Sequence, residues 1–236
     1  MGGTPVDDAE ILRIQVEALF RHDGVGRITT TNEPEPTEAP RLFVSRSTST
    51  IVWRLRADVP ADIAGEIDRI LSQDRPLVDL DDTPTVQVEL VALLARWSPV
   101  TAVFAGPSWY VPAGIVPPGR ARPLSEEDLP ALRPHFPYLS EHHHGLSPCT
   151  GVVADGVAVA VCSSVRITPT ACEAGLHTVE AARGRGYGPD AVAAWAAAVR
   201  ATGRLPLYST SWDNAPSRRV AAKLSLIQYA SSFSVY

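Results

Sequence analysis

Arg183-Gly184-Arg185-Gly186-Tyr187-Gly188 places three glycines and two arginines within six residues. A strand-like run, Ala174 to Val179, precedes this stretch, and an alanine-rich helical run, Ala191 to Arg200, follows it. Glycines leave the backbone N–H groups uncovered, and the N-terminus of the next helix adds unpaired donors and partial positive charge. The two arginines contribute full charges. Together these features describe a turn that binds a pyrophosphate. Pro189 suits the first helical turn, where a missing N–H costs nothing.

Spacing decides which kind of phosphate turn this is. A Walker loop ends in Gly-Lys-Ser/Thr, whereas the single lysine of this chain is Lys223. A dinucleotide fingerprint reads Gly-x-Gly-x-x-Gly with an acid closing the next strand. The glycines at 184, 186 and 188 do not fit that spacing, and Leu205 to Ser211 holds no acid. The pattern present is Arg-x-x-Gly-x-Gly, from Arg183 through Gly186 to Gly188. It resembles the acyl-CoA loop of the GNAT (GCN5-related) N-acetyltransferases. The flanks resemble the same family: a strand at Leu205 to Ser211, then Asn214, Ser217 and Lys223-Leu224 on a helix, then a terminal strand at Ile227 to Tyr236. Upstream, Cys149 to Ala154 and Val157 to Ile167 form a strand pair, with Asp155-Gly156 as a hairpin turn. Arg122-Pro-Leu-Ser-Glu-Glu-Asp-Leu resembles the family's opening strand and capped first helix.

The resemblance covers residues 119–236. It implies an α/β chain of GNAT fold, with a mixed, mostly antiparallel central sheet and flanking helices. A small α/β N-terminal domain, residues 1–118, would precede it. The implied activity is transfer of an acetyl group from acetyl-CoA to a primary amine of a small molecule, by direct attack on the thioester. Splayed strands at Ala174–Val179 and Leu205–Ser211 would receive pantetheine as an added strand. Backbone N–H groups near Thr178 and Val179 would polarise the thioester carbonyl. Arg183, Gly184, Arg185, Gly186, Tyr187 and Gly188 would hold the diphosphate, with Asn214 and Ser217 completing the cofactor site. Candidate bases are Glu173 and His177, which share a strand face. Tyr208, Ser209 and Ser211 are candidate acids. Capping of the last helix alone would account for Asn214. A homodimer paired through the last strands is a further expectation of the resemblance.

Two departures from the pattern stand out. The family glycine after Lys-Leu is Ser225 here, and the tyrosine expected seven residues after Asn214 is Ala221. Without that tyrosine, the proton for the departing thiolate must come from another group. The alternatives are a GNAT-fold enzyme using a different acyl-CoA or catalysing a different biosynthetic reaction, and a non-catalytic CoA-binding sensor.

Composition sets outer bounds. The 236 residues, 45% apolar and 20% charged, suit a folded chain with ample core. No apolar run approaches the ~20 residues of a membrane span. The acidic opening Met1 to Asp8 has no signal-peptide core, and three unpaired cysteines suit a reducing compartment, so a cytoplasmic location is expected. Cys149 and Cys162 read as buried neighbours rather than a disulfide. Residues 1–118 carry ten basic and seventeen acidic residues, net −7, while residues 119–236 carry eleven and nine, net +2. The positive half is the one assigned to the anionic cofactor, and no basic stripe points to nucleic acid.

The N-terminal half reads as a helix over 8–21, strands near 27–31, 41–45 and 50–56, helices over 61–72 and 86–97, and a strand at 101–104. The Glu33 to Pro40 stretch is an exposed loop and 79–82 a solvated acidic turn. This half would cover an edge of the core or close over the acceptor cleft. His142-His143-His144 lacks metal-ligand spacing, and no metal is expected. The run falls where the family builds acceptor sites.

Overall fold

The computed structural model describes residues 7–82 and 85–236, so most of the acidic opening stretch lies outside the described residues. The elements, in chain order, begin with α1 (Asp8–Leu19), β1 (Phe20–His22), β2 (Ile28–Thr31), β3 (Leu42–Arg46), β4 (Ile51–Leu55), α2 (Ala61–Gln73), α3 (Val86–Trp97) and β5 (Val103–Tyr110). The second half contains β6 (Arg122–Pro123), α4 (Leu129–Leu132), α5 (Pro137–Glu141), β7 (Cys149–Ala154), β8 (Val157–Ile167) and β9 (Ala171–Thr178). It closes with α6 (Tyr187–Ala201), β10 (Leu205–Ser209), α7 (Ala215–Lys223) and β11 (Ile227–Val235).

Among the described residues, nine strands form one sheet in the order β4-β3-β11-β5-β10-β9-β8-β7-β6, and β1 pairs separately with β2. Every neighbouring pair in the large sheet is antiparallel except β9 and β10. The chain is therefore a mixed, mostly antiparallel α/β fold with flanking helices, as the resemblance implied. The β7–β8 hairpin turns at Asp155 (φ 50°) and Gly156 (φ 79°), a turn with two left-handed residues.

The sheet does not break at residue 118. Strand β5, from the first half, lies between β10 and β11 of the second and pairs with both. Its length differs from the expected 101–104 because Gly106 to Tyr110 continue the strand rather than leaving it. The last strand, β11, is paired by β5 from Ile227 to Val235 and by β3 over Ser231–Val235, so it is an interior strand of the sheet and not an edge strand. That corrects the expected route to a dimer: the edges of the sheet are β4 and β6.

Helices cover both faces. On one, α2 and α3 pack on Leu42, Val44 and Phe233, while α6 packs on Cys162, Cys172 and Tyr208. On the other, α1 covers Ala171 and Leu207, and Leu132 and Leu139 of α4 and α5 pack on Cys149 and Val161. The alanines of α6 let it lie close to the strands. Trp195 fills the space between, its Nε1 donating to Ser164 Oγ at 3.0 Å. All three cysteines are free and buried, and Cys149 and Cys162 lie in cores on opposite faces. Burial holds the Cys149 thiol protonated, with its pKa pushed up to about 12.

Candidate active site

The backbone of β9 changes partner partway along. Leu205 N–H donates to Thr170 O, so even-numbered residues of β9 present their backbone groups toward β10. Pairing with β10 stops at Glu173–Leu207, while β9 continues to Thr178. The backbone groups of Leu176 and Thr178 are thus left facing an opening V. Val179 N–H instead donates to Val159 O at 2.9 Å. The expectation that Val179 supplies a polarising N–H is corrected, because the β8 side of the sheet already uses that donor. The Thr178 N–H stays a candidate, and Leu176 joins it.

The glycine turn closes the wide end of this V. Gly184 (φ 77°) and Gly186 (φ 84°) are left-handed, which ordinary side chains resist. Among the described residues, no hydrogen-bond partner meets the N–H groups of Gly184, Arg185 or Gly186. Those of Tyr187 and Gly188 lie in the first turn of α6, where no preceding turn can accept them. Cations surround the turn. A Cβ built on Gly186 would meet Arg120 Nη2 at 3.1 Å and Lys223 Nζ at 3.4 Å. Arg120 is held there by Asp190 (2.6 Å), by the Arg185 carbonyl (3.2 Å) and over the Tyr187 ring. Five donors, a glycine cradle and this cation cluster fit a diphosphate.

A cavity of about 860 Å³ runs from the turn through the V. Its lining includes Thr178, Val179, Arg183, Gly184, Gly186, Tyr187, Gly188, Asn214 and Ser217 of the expected cofactor set. Leu176 and His177, which alternate between sheet faces, both line it, so it crosses the sheet. Arg185 is exposed and does not line the cavity. Sequence reasoning missed Arg120, Arg219, Lys223, His135 and Phe136. Arg120, His135 and Phe136 come from distant segments and Arg219 and Lys223 from α7, and only the packed fold brings them to the turn and its cavity.

Asn214 caps α7, its Oδ1 accepting from Ser217 N–H at 3.1 Å. Ala221 is buried in the core beneath α6 and cannot supply a proton. Instead the Tyr208 hydroxyl lies 2.5 Å from Ser217 Oγ, which reaches the cavity. Burial raises the Tyr208 pKa to about 12, so the phenol is protonated. Ser211 lies beyond the end of β10 and bonds Asp213.

On the opposite sheet face, Ser209 Oγ donates to Glu173 Oε1 at 2.6 Å. Glu173 is 2% exposed, and desolvation raises its pKa despite the Ser209 bond and the field of Arg166. His177 remains accessible, and partial desolvation lowers its pKa, which favours a neutral ring at pH 7. Glu173 and His177 do not touch one another, and only His177 lines the large cavity.

Ser209 opens into a second cavity, of about 370 Å³. Its walls join both halves of the chain: Gln15, Phe20, Thr31 and Phe43 from the first, Arg166, Ser232 and Tyr236 from the second. The three adjacent histidines diverge. His143 faces the Leu124 carbonyl (3.0 Å), His142 lies near Glu35 and His144 near Glu126.

No protein-family model matches the chain, and no curated protein matches it. Solved structures do. An acetyltransferase of the GNAT family from Colwellia psychrerythraea aligns at 12% identity and TM-score 0.48, over 78% of this chain and 76% of its own. A GCN5-related N-acetyltransferase-like protein from Streptococcus suis 89/1591 aligns at 13% and 0.44, over 84% and 85%. An acetyl transferase from Salmonella typhimurium that modifies the N-terminal serine of ribosomal protein L7/L12 aligns at 14% and 0.36, over 49% and 92%. At these identities and scores the likenesses fix neither activity nor acceptor.

Proposed function

We propose that the chain is an acetyl-CoA-dependent N-acetyltransferase acting on a primary amine of a small molecule. The observation that carries this reading is the turn at 183–188, whose unpartnered N–H groups sit at the mouth of the V between β9 and β10. The turn and its cations would hold the diphosphate, and the free backbone edge of β9 would pair with the pantetheine arm. As co-substrate, acetyl-CoA supplies an activated acyl group and a thiolate leaving group.

Strand β10 divides the proton chemistry between the sheet faces. Successive side chains point to opposite faces, so Tyr208 and Ser209 serve different sides of the gap. The neutral amine attacks the thioester carbon. A C–N bond forms, the C–S bond breaks, and the electron pair leaves on sulfur. The proton shed by nitrogen passes through Ser209 to Glu173, whose raised pKa makes it a stronger base than an exposed carboxylate. Tyr208, acting through Ser217, returns a proton to sulfur. The N–H groups of Thr178 and Leu176 would stabilise the carbonyl oxygen as charge develops. His177 is the second base, serving acceptors that enter from the large cavity.

The test is a thiol-release assay over a panel of primary amines, with products identified by mass spectrometry. Acetylated amine and free CoA in equal amounts support the reading. Thiol release without acetylated product, or none with any amine, contradicts it.

A further inference from the structure

The smaller cavity has a floor unlike an ordinary sheet interior. Arg166, Ser209, Ser108 and Ser232 line it from β8, β10, β5 and β11 on the face beneath α1, and Glu173 of β9 lies buried behind Ser209. Arg166 and Glu173 are direct cross-strand partners. A register shift between Ser164 and Arg166 puts an extra residue into β8 at this point. Ser164 meets Trp195 on the α6 face, so regular alternation would send Arg166 there too. The extra residue turns Arg166 to the cavity instead.

Opposite charges therefore face each other without pairing. Glu173 receives Ser209, while Arg166 reaches outward to Glu33 of the proline-rich loop. The Arg166 Nε is buried and has no hydrogen-bond partner among the described residues. Burying a guanidinium donor unpaired is costly, and a side-chain shift that brings it to a ligand oxygen would remove the cost. The rest of the cavity offers aromatic wall, from Phe43 and Phe104, in about 370 Å³.

We infer that the acceptor is an α-amino acid or a close analogue. Its carboxylate is held by Arg166, its amine is turned toward Ser209 and Glu173, and its apolar side chain lies against the phenylalanines. A carboxylate and an amine on one carbon match a cation and a carboxylate on adjacent strands. Arg166 is thus a specificity residue, and the assignment rests on the acyl-transfer reading above.

Calorimetric titration of phenylalanine and of phenethylamine, which lacks only the carboxylate, tests this directly and needs no turnover. A charge-assisted contact predicts that phenylalanine binds about 10-fold tighter or more. Arg166→Gln should remove that preference by weakening phenylalanine alone, and Arg166→Lys should keep part of it, with near-UV circular dichroism showing both variants folded. Equal or tighter binding of phenethylamine to the wild type overturns the inference. So does a parallel loss of both ligands in Arg166→Gln, or no binding of either. A separate acetyl-CoA titration distinguishes the two claims. If the coenzyme binds and the carboxylate makes no difference, only the acceptor assignment falls. If Arg166-dependent binding occurs with no coenzyme affinity, the acyl-transfer reading falls while the carboxylate site stands.

Discussion

Glu173 shows how one buried group carries both a stability signature and a chemical role. Desolvation raises its folded-state pKa above the unfolded value, so its contribution is fully present below the unfolded pKa and is lost as pH rises through the folded one. Glu173→Gln should therefore raise the melting temperature at pH 8 relative to wild type and narrow that difference at pH 4, as followed by thermal denaturation. The same variant should flatten the ascending, acid-side limb of kcat against pH, because that limb reports ionisation of this carboxylate. Ser225 makes a second residue-scale prediction. It holds φ at +51°, a conformation in which the side chain is strained. Ser225→Gly should stabilise the fold by about 1 kcal/mol in urea titrations, since glycine adopts this conformation freely. The mismatch with the family pattern at this position was legible in the sequence. The role of Arg166 was not, because the face an arginine takes on a strand depends on a bulge that no local residue type announces.

The elements that could be read directly were those with local signals. Asp155-Gly156 forces its turn wherever the hairpin sits, and the Asn214 cap with Pro216 behind it starts α7 without outside help. Asn214→Ala should cost about 1 kcal/mol of stability through loss of the cap, and should weaken acetyl-CoA binding less than any change in the glycine turn. Strand β5 was misread for the opposite reason. Gly106-Pro107 has the composition of a loop, and proline is out of place in a central strand. The structure tolerates it because β10 ends at Ser209, leaving little ladder opposite Pro107. Gly106 is needed for close approach: a Cβ there would lie 1.8 Å from the Thr210 carbonyl oxygen. Gly106→Ala should cost about 2 kcal/mol or more by forcing backbone apart, measured as a lower urea midpoint. A change below about 0.5 kcal/mol would show that the two strands part freely at this point.

At the scale of the molecule, the intercalation of β5 predicts that the two halves fold as one unit. Removing residues 1–118 would leave β10 and β11 unpaired along facing edges and uncover the sheet beneath α1, α2 and α3. Scanning calorimetry should show a single cooperative transition, and residues 119–236 alone should fail to give one. Two separate transitions would contradict this interlocking. The charge asymmetry of the two halves was visible in sequence and falls in place, with Arg120, Lys223 and Arg219 gathered near the turn on the positive side. Their convergence was not visible, since Arg120 lies 103 residues before Lys223 in the chain. No helix among the described residues is long and apolar enough to cross a membrane. The proposed activity depends on the backbone donors of residues 184–188, and calorimetric titration with acetyl-CoA reads them most directly. Wild type should bind at micromolar concentrations, and Gly186→Val, folded by circular dichroism, should lose about 100-fold or more in affinity because its side chain would occupy the anion's place. Equal binding by the two proteins, or no binding by wild type at millimolar acetyl-CoA, would contradict the account.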